Sequence, residues 1–125
     1  MGSIFYPDFR DFIKALNNNK VRYLLVGGYA VIFYGYSRTT GDMDIWVDCT
    51  KENYQKLVLA FNEFKMPLFD MTEENFLQKE KFDVFRFGKK PVAIDIMTKM
   101  VDLEFSNCYE KTRFFQDEDL LLPVA

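Results

Sequence analysis

Apolar positions recur along this chain with two periods, and the switches between them mark its elements. In PDFRDFIKALNNNK (7–20), Phe9, Phe12, Ile13 and Leu16 fall at helical spacing. That spacing predicts a helix with Asp8 as its N-cap and Asn17 to Asn19 at its end. RYLLV (22–26) is a short apolar run, the pattern of a buried strand, and it stops at Gly27-Gly28. YAVIFYGY (29–36) continues as an apolar, buried helix, and MDIWVD (43–48) is the next strand. Thr50 caps a helix whose Tyr54, Leu57, Val58 and Phe61 share one face. Pro67 breaks that pattern, and Thr72 opens a short helix in TEENFLQ (72–78). FDVFRF (82–87) and VAIDIM (92–97) are strand-like and joined by GKKP, which predicts a hairpin. VDLEFSNCYE (101–110) reads as helical, and KTRFF and LLLPV as extended, with the acidic turn QDED between them. The order α-β-α-β-α-(α)-β-β-α-β predicts an α/β fold. It is a single domain over 1–125 with a mixed, partly antiparallel sheet flanked by helices.

Composition narrows the chemistry. Of 125 residues, 49% are hydrophobic, with 14 Phe and 7 Tyr, enough for a packed core. The net charge of -3 gives no basic footprint for nonspecific nucleic-acid binding. No run of apolar residues is long enough to span a membrane, and MGSIFYPDF lacks the regions of a signal peptide. Cys49 and Cys108 show neither metal-ligand spacing nor a disulfide framework, so a cytoplasmic protein with reduced thiols is expected. The chain has no histidine at all. That removes Ser-His-Asp, Cys-His and His-metal chemistry together and leaves hard-cation chemistry on oxygen ligands as the natural alternative.

Against that background RTTGDMDIWV (38–47) is anomalous. Residues i and i+2 of a strand point to one side, so Asp42 and Asp44 face each other's charge. At about 5 Å and an effective dielectric of about 20 the repulsion is roughly 3 kcal/mol. A third aspartate, Asp95, lies in VAIDIM between apolar neighbours, on a strand that could run beside the first pair. Gly27-Gly28, between a strand and a helix, leaves room for a phosphate at a helix N-terminus. Three carboxylates gathered on one sheet edge suit Mg²⁺, which takes oxygen donors and shares its remaining sites with substrate phosphates. Two such ions about 3.5–4 Å apart clamp the attacking and leaving oxygens of a phosphoryl displacement.

LLVGGYAVIFYGYSRTTGDMDIWVD (24–48) resembles the signature of the DNA-polymerase-β-like nucleotidyltransferase superfamily. That signature is a hydrophobic residue, Gly, Gly or Ser, a spacer, then Asp-hydrophobic-Asp/Glu-hydrophobic. RTTGDMD is similar to the Arg-x-Thr-x-Asp-hydrophobic-Asp variant of small bacterial members, among them abortive-infection toxins and minimal antitoxin-type transferases. The resemblance implies a nucleotidyltransferase fold and transfer of an NMP from an NTP to a hydroxyl on a protein, an RNA or a small molecule. It implies that Gly27 and Gly28 hold the triphosphate, and that Asp42 and Asp44 bind both catalytic metals. Asp95 binds the ion that activates the acceptor hydroxyl, and Arg38 and Thr40 support the loop or touch phosphate. The expected cofactor is Mg²⁺, two ions, with Mn²⁺ as a substitute. Larger members carry a C-terminal helical region, whereas this sequence ends at LLLPVA, which is read as a domain without that extension.

Plainer readings stand beside these. Arg38 serves equally as a salt-bridge partner for an aspartate, Gly88 to Lys90 as a solvated hairpin tip, and QDED as a wet turn. Tyr29 and Trp46 are placed for base stacking but read better as core. The alternative function is a catalytically weak or inactive module of the same fold, acting as an antitoxin or regulatory partner. A third is a half-site completed in a homodimer through an apolar edge at LLLPV.

Overall fold

The computed structural model describes residues 7–27, 30, 42–78, 80–89 and 92–124. Helix α1 (Pro7–Asn18) begins on a proline, whose fixed φ and missing N–H suit a first helical position. Asp8 therefore lies inside the first turn, where its charge complements the helix dipole, and does not form the expected N-cap. Phe9, Phe12, Ile13 and Leu16 are fully buried, as their spacing requires. The helix ends in a Schellman arrangement, with Lys20 N–H donating to Asn17 O at 3.1 Å and Val21 N–H to Leu16 O at 3.0 Å. This places Lys20 at a φ of 57°, a position glycine usually takes.

The strands are β1 (Tyr23–Val26), β2 (Asp42–Val47), β3 (Val84–Lys89), β4 (Val92–Met97), β5 (Arg113–Asp117) and β6 (Leu120–Val124). They form one mixed sheet in the order β3-β4-β2-β1-β6-β5. β2 runs antiparallel to β1 and parallel to β4, while β3–β4 and β5–β6 are antiparallel pairs. The predicted α/β class, single domain and mixed sheet are present. The terminal segment forms two strands rather than the one counted in the expected order. The apolar helix expected over 29–36 lies almost wholly outside the described residues.

Alternation along β2 sorts its side chains cleanly. Met43, Ile45 and Val47 are fully buried in a core shared with Phe85, Phe87, Ile94 and Ile96. Helices α1 and α2 (Lys51–Phe64) contribute to this core, and Phe12 meets Phe61 edge-on at 5.6 Å. Each such aromatic side chain contributes roughly 1.5–3 kcal/mol by burial. α2 is capped as expected, Asn53 N–H donating to Thr50 Oγ1 at 3.1 Å. The buried Asn53 side chain also accepts from Arg22 N–H at 2.8 Å and donates to Arg22 O and Asp48 O, tying α2 to the ends of β1 and β2. The short helix α3 (Glu73–Leu77) is capped by Thr72, again as predicted. On the other sheet face, α4 (Phe105–Glu110) seals a smaller cluster of Leu24, Val26, Trp46 and Phe105.

Two expectations about the end of the chain need correction. LLLPV is not an exposed edge: β6 lies between β1 and β5, with Leu120, Leu122 and Val124 buried. It meets β1 at Leu25 opposite Val124, beside Pro123, whose missing N–H limits the ladder there. QDED is only partly a wet turn. Glu118 and Asp119 are exposed, but Asp117 is buried and held by Arg10, whose Nη1 donates to the Asp117 carboxylate at 2.9 Å and its carbonyl at 3.2 Å. Arg10 also pairs with Asp119, so α1 is fastened to the β5–β6 turn. No helix among the described residues is long and apolar enough to cross a membrane.

α2 ends as α1 does, with Lys65 at a φ of 63° and Met66 N–H donating to Phe61 O at 2.9 Å. A left-handed backbone costs a Cβ-bearing residue roughly 1 kcal/mol or more. Lys65→Gly is therefore expected to stabilise the protein by about 1 kcal/mol in urea unfolding. A loss of stability would show that the Lys65 side chain contributes more than its backbone strain costs.

Candidate functional site

The site begins with a register. β2 and β4 run parallel with Asp44 opposite Asp95 and Asp42 opposite Ala93. Residues paired across neighbouring strands share a face, so Asp42, Asp44 and Asp95 stand together on the face opposite the large core. The sequence expectation that Asp95 runs beside the first pair is met in this geometry. Asp95 is nine-tenths buried, at 9% exposure, while Asp42 and Asp44 are half-buried.

Burial first, and then the Asp95 charge beside it, push the Asp44 carboxyl up to about 6 from an ordinary 3.8. Asp42 adds to the effect and Arg86 opposes it. Asp95 Oδ1 is buried and no N–H among the described residues reaches it. A side-chain hydrogen bond with Asp95 further favours the protonated form of Asp44.

Gly27 accounts for how Asp44 fits. β1 pairs with β2 so that Val26 lies opposite Asp44, and the chain then turns at Gly27 with a φ of 70°. A Cβ at Gly27 would fall 2.2 Å from Asp44 Oδ2 and 3.1 Å from its Cγ. The missing side chain thus makes room for the carboxylate itself, a role the motif did not reveal. Gly28, Arg38 and Thr40, together with Tyr29, lie outside the described residues. Trp46 is almost fully buried and meets Phe105 edge-on at 5.3 Å, which makes it core rather than a stacking platform.

Arg86 is the residue sequence reasoning missed. β3 pairs with β4 so that Arg86 lies opposite Asp95, on the same face. Its Nη2 donates to Asp95 Oδ2 at 2.9 Å and reaches Asp42 Oδ2 at 3.4 Å. The two carboxylates, Asp95 foremost, hold the guanidinium even more firmly protonated than usual. The strand pairing runs out to Lys89 opposite Val92 and so sets Arg86 opposite Asp95. Reading all of GKKP as the connection left Gly88 and Lys89 out of the strand and hid that register.

The donor set is all oxygen, which suits a hard divalent cation, and the buried Asp95 Oδ1 is a ligand atom in want of a partner. Among the described residues no group of three or more His, Cys, Asp or Glu side chains stands in a chelating array. Asp42 and Asp95 each have an oxygen on Arg86 Nη2 instead. A separate crevice of about 260 Å³, lined by residues including Asp48, Thr98, Lys99 and Glu104, lies toward the opposite end of β2. Comparison of the chain with protein-family models, with curated proteins and with solved structures gives no match.

Two outcomes follow from this geometry. Because the folded Asp44 carboxyl holds its proton up to about 6 and the unfolded one only to about 3.8, stability falls as pH rises through that window and stays lower above it. Asp44→Asn should therefore raise the melting temperature at pH 8 by a margin that shrinks at pH 4. An equal margin at both would contradict the shift. Gly27→Ala should cost more than about 1 kcal/mol from backbone strain alone. In an Asp44→Ala background its cost should fall, since the clashing carboxylate is gone. Strict additivity in that double-mutant cycle would mean the contact carries no energy.

Proposed function

We propose that this chain is a metal-dependent nucleotidyltransferase of the DNA-polymerase-β-like kind. It moves an NMP from an NTP to a hydroxyl on a protein, an RNA or a small molecule, with pyrophosphate leaving. The observation that carries the reading is the pairing of the Asp42-Met43-Asp44 strand with Asp95 on a parallel neighbour, with Gly27 abutting Asp44. That places one residue of the glycine pair and all three aspartates of the resemblance at one end of one sheet.

In this reading Asp42 and Asp44 hold two Mg²⁺ ions, or Mn²⁺, and Asp95 holds the one on the acceptor side. The ions supply charge neutralisation of the phosphates and a lowered pKa at the attacking hydroxyl. The protein's own part is positional. Strand pairing fixes the three carboxylates relative to one another, and in this reading Asp95 would help take up the acceptor's proton. The nucleotidyltransferase fold, the NTP and a cytoplasmic setting belong to the same proposal.

One observation favours a second reading, a catalytically silent module acting as an antitoxin or regulatory partner. Arg86 already supplies a positive charge to two of the three carboxylates. Calorimetric titration of each NTP with and without Mg²⁺ separates the two. The first reading expects Mg²⁺-dependent binding of at least one NTP that weakens more than about tenfold in Asp95→Asn, the scale of losing one charged ligand. Binding that ignores both Mg²⁺ and the substitution would contradict it.

A further inference from the structure

We propose that Arg86 is a resident counter-ion of the carboxylate cluster, one that a divalent cation must displace in order to bind. This inference rests on the metal-site reading above and adds a regulatory residue to it. Its warrant is geometric. The β3–β4 register fixes Arg86 on the face of Asp42, Asp44 and Asp95, and one guanidinium nitrogen spans oxygens of two of the three carboxylates.

Those oxygens belong to the residues a hard cation would use. Arg86 Nη2 sits on one oxygen of each carboxylate, so a cation coordinated by the same two side chains would face the guanidinium at close range, and the two occupancies oppose each other. Arginine does not lose its charge at any pH the folded protein tolerates, so the exchange is driven by a competing cation and not by deprotonation. The side chain is 50% exposed, and its long stem lets the charged end swing to water without disturbing the core behind β3. Neighbouring side chains on that core face, Phe85 and Phe87, are buried and hold the strand in place whether or not the guanidinium is engaged.

The exchange has a functional sense. Arg86 offsets part of the repulsion that the buried Asp95 carboxylate meets from Asp42 and Asp44. The same contact raises the concentration of metal needed to fill the site. Arg86 thus sets the threshold at which the site becomes loaded.

The test is Mn²⁺ binding to the full chain without nucleotide, read from the electron paramagnetic resonance signal of free Mn²⁺. Wild type, Arg86→Gln, Arg86→Lys and Arg86→Gln/Asp95→Asn are compared, with circular dichroism confirming the fold. The expected result is that Arg86→Gln binds Mn²⁺ about tenfold more tightly than wild type, the size of a coupling of roughly one charged contact. Arg86→Lys, which keeps the charge but not the planar fork, takes a value between them, and Asp95→Asn abolishes the gain. If wild type binds Mn²⁺ and neither Arg86 variant binds it more tightly, the counter-ion role is overturned while the metal site stands. If no variant binds Mn²⁺, both are overturned.

Discussion

The parallel pairing of β2 with β4 is the constraint on which the rest of this molecule turns. Its register places Asp44 beside Asp95, and strand alternation adds Asp42 to the same face. Three carboxylates are thereby held together by the backbone ladder, not by any attraction of their own. The consequences are local and visible. Asp44 holds its proton to about pH 6, Gly27 gives up a side chain to admit its carboxylate, and Arg86 reaches across from β3.

What holds an unfavourable cluster in place is the opposite face of the same strands. Met43, Ile45, Ile94 and Ile96 interleave with the acidic residues in sequence and are buried against the helix-packed core. A slip of one residue would exchange those apolar side chains for aspartates, so the core fixes the register and the register fixes the site. Asn53 and the Arg10–Asp117 pair fasten α2 and α1 to the sheet from outside that core. The stability of the fold and the strain of the site are thus two faces of one sheet.

Much of this was legible in the sequence because period-two alternation is a local signal. MDIWVD and VAIDIM announced strands, their aspartates announced a shared chemistry, and Thr50 and Thr72 announced the starts of two helices. What escaped depends on pairing between distant segments. Arg86 is visible only once the β3–β4 register, with Lys89 opposite Val92, is known. The contact of Gly27 with Asp44 needs the antiparallel β1–β2 pairing, which brings together residues seventeen apart. LLLPV read as an exposed apolar edge, yet it pairs with β1, which lies almost a hundred residues earlier. The fold class was readable from the order of elements, whereas the ion pair that neutralises the site was not.

The central claim is that Asp42, Asp44 and Asp95 form a cation site for a triphosphate substrate, held in its metal-free form by Arg86. The most direct measurement is a crystal structure of the chain with Mn²⁺ and a non-hydrolysable NTP analogue, recorded to show anomalous scattering. The account predicts an anomalous peak among the three carboxylates, phosphate oxygens beside it, and Arg86 turned away from Asp95. A crystal grown under those conditions with no peak there and Arg86 still bridging Asp42 and Asp95 would contradict it.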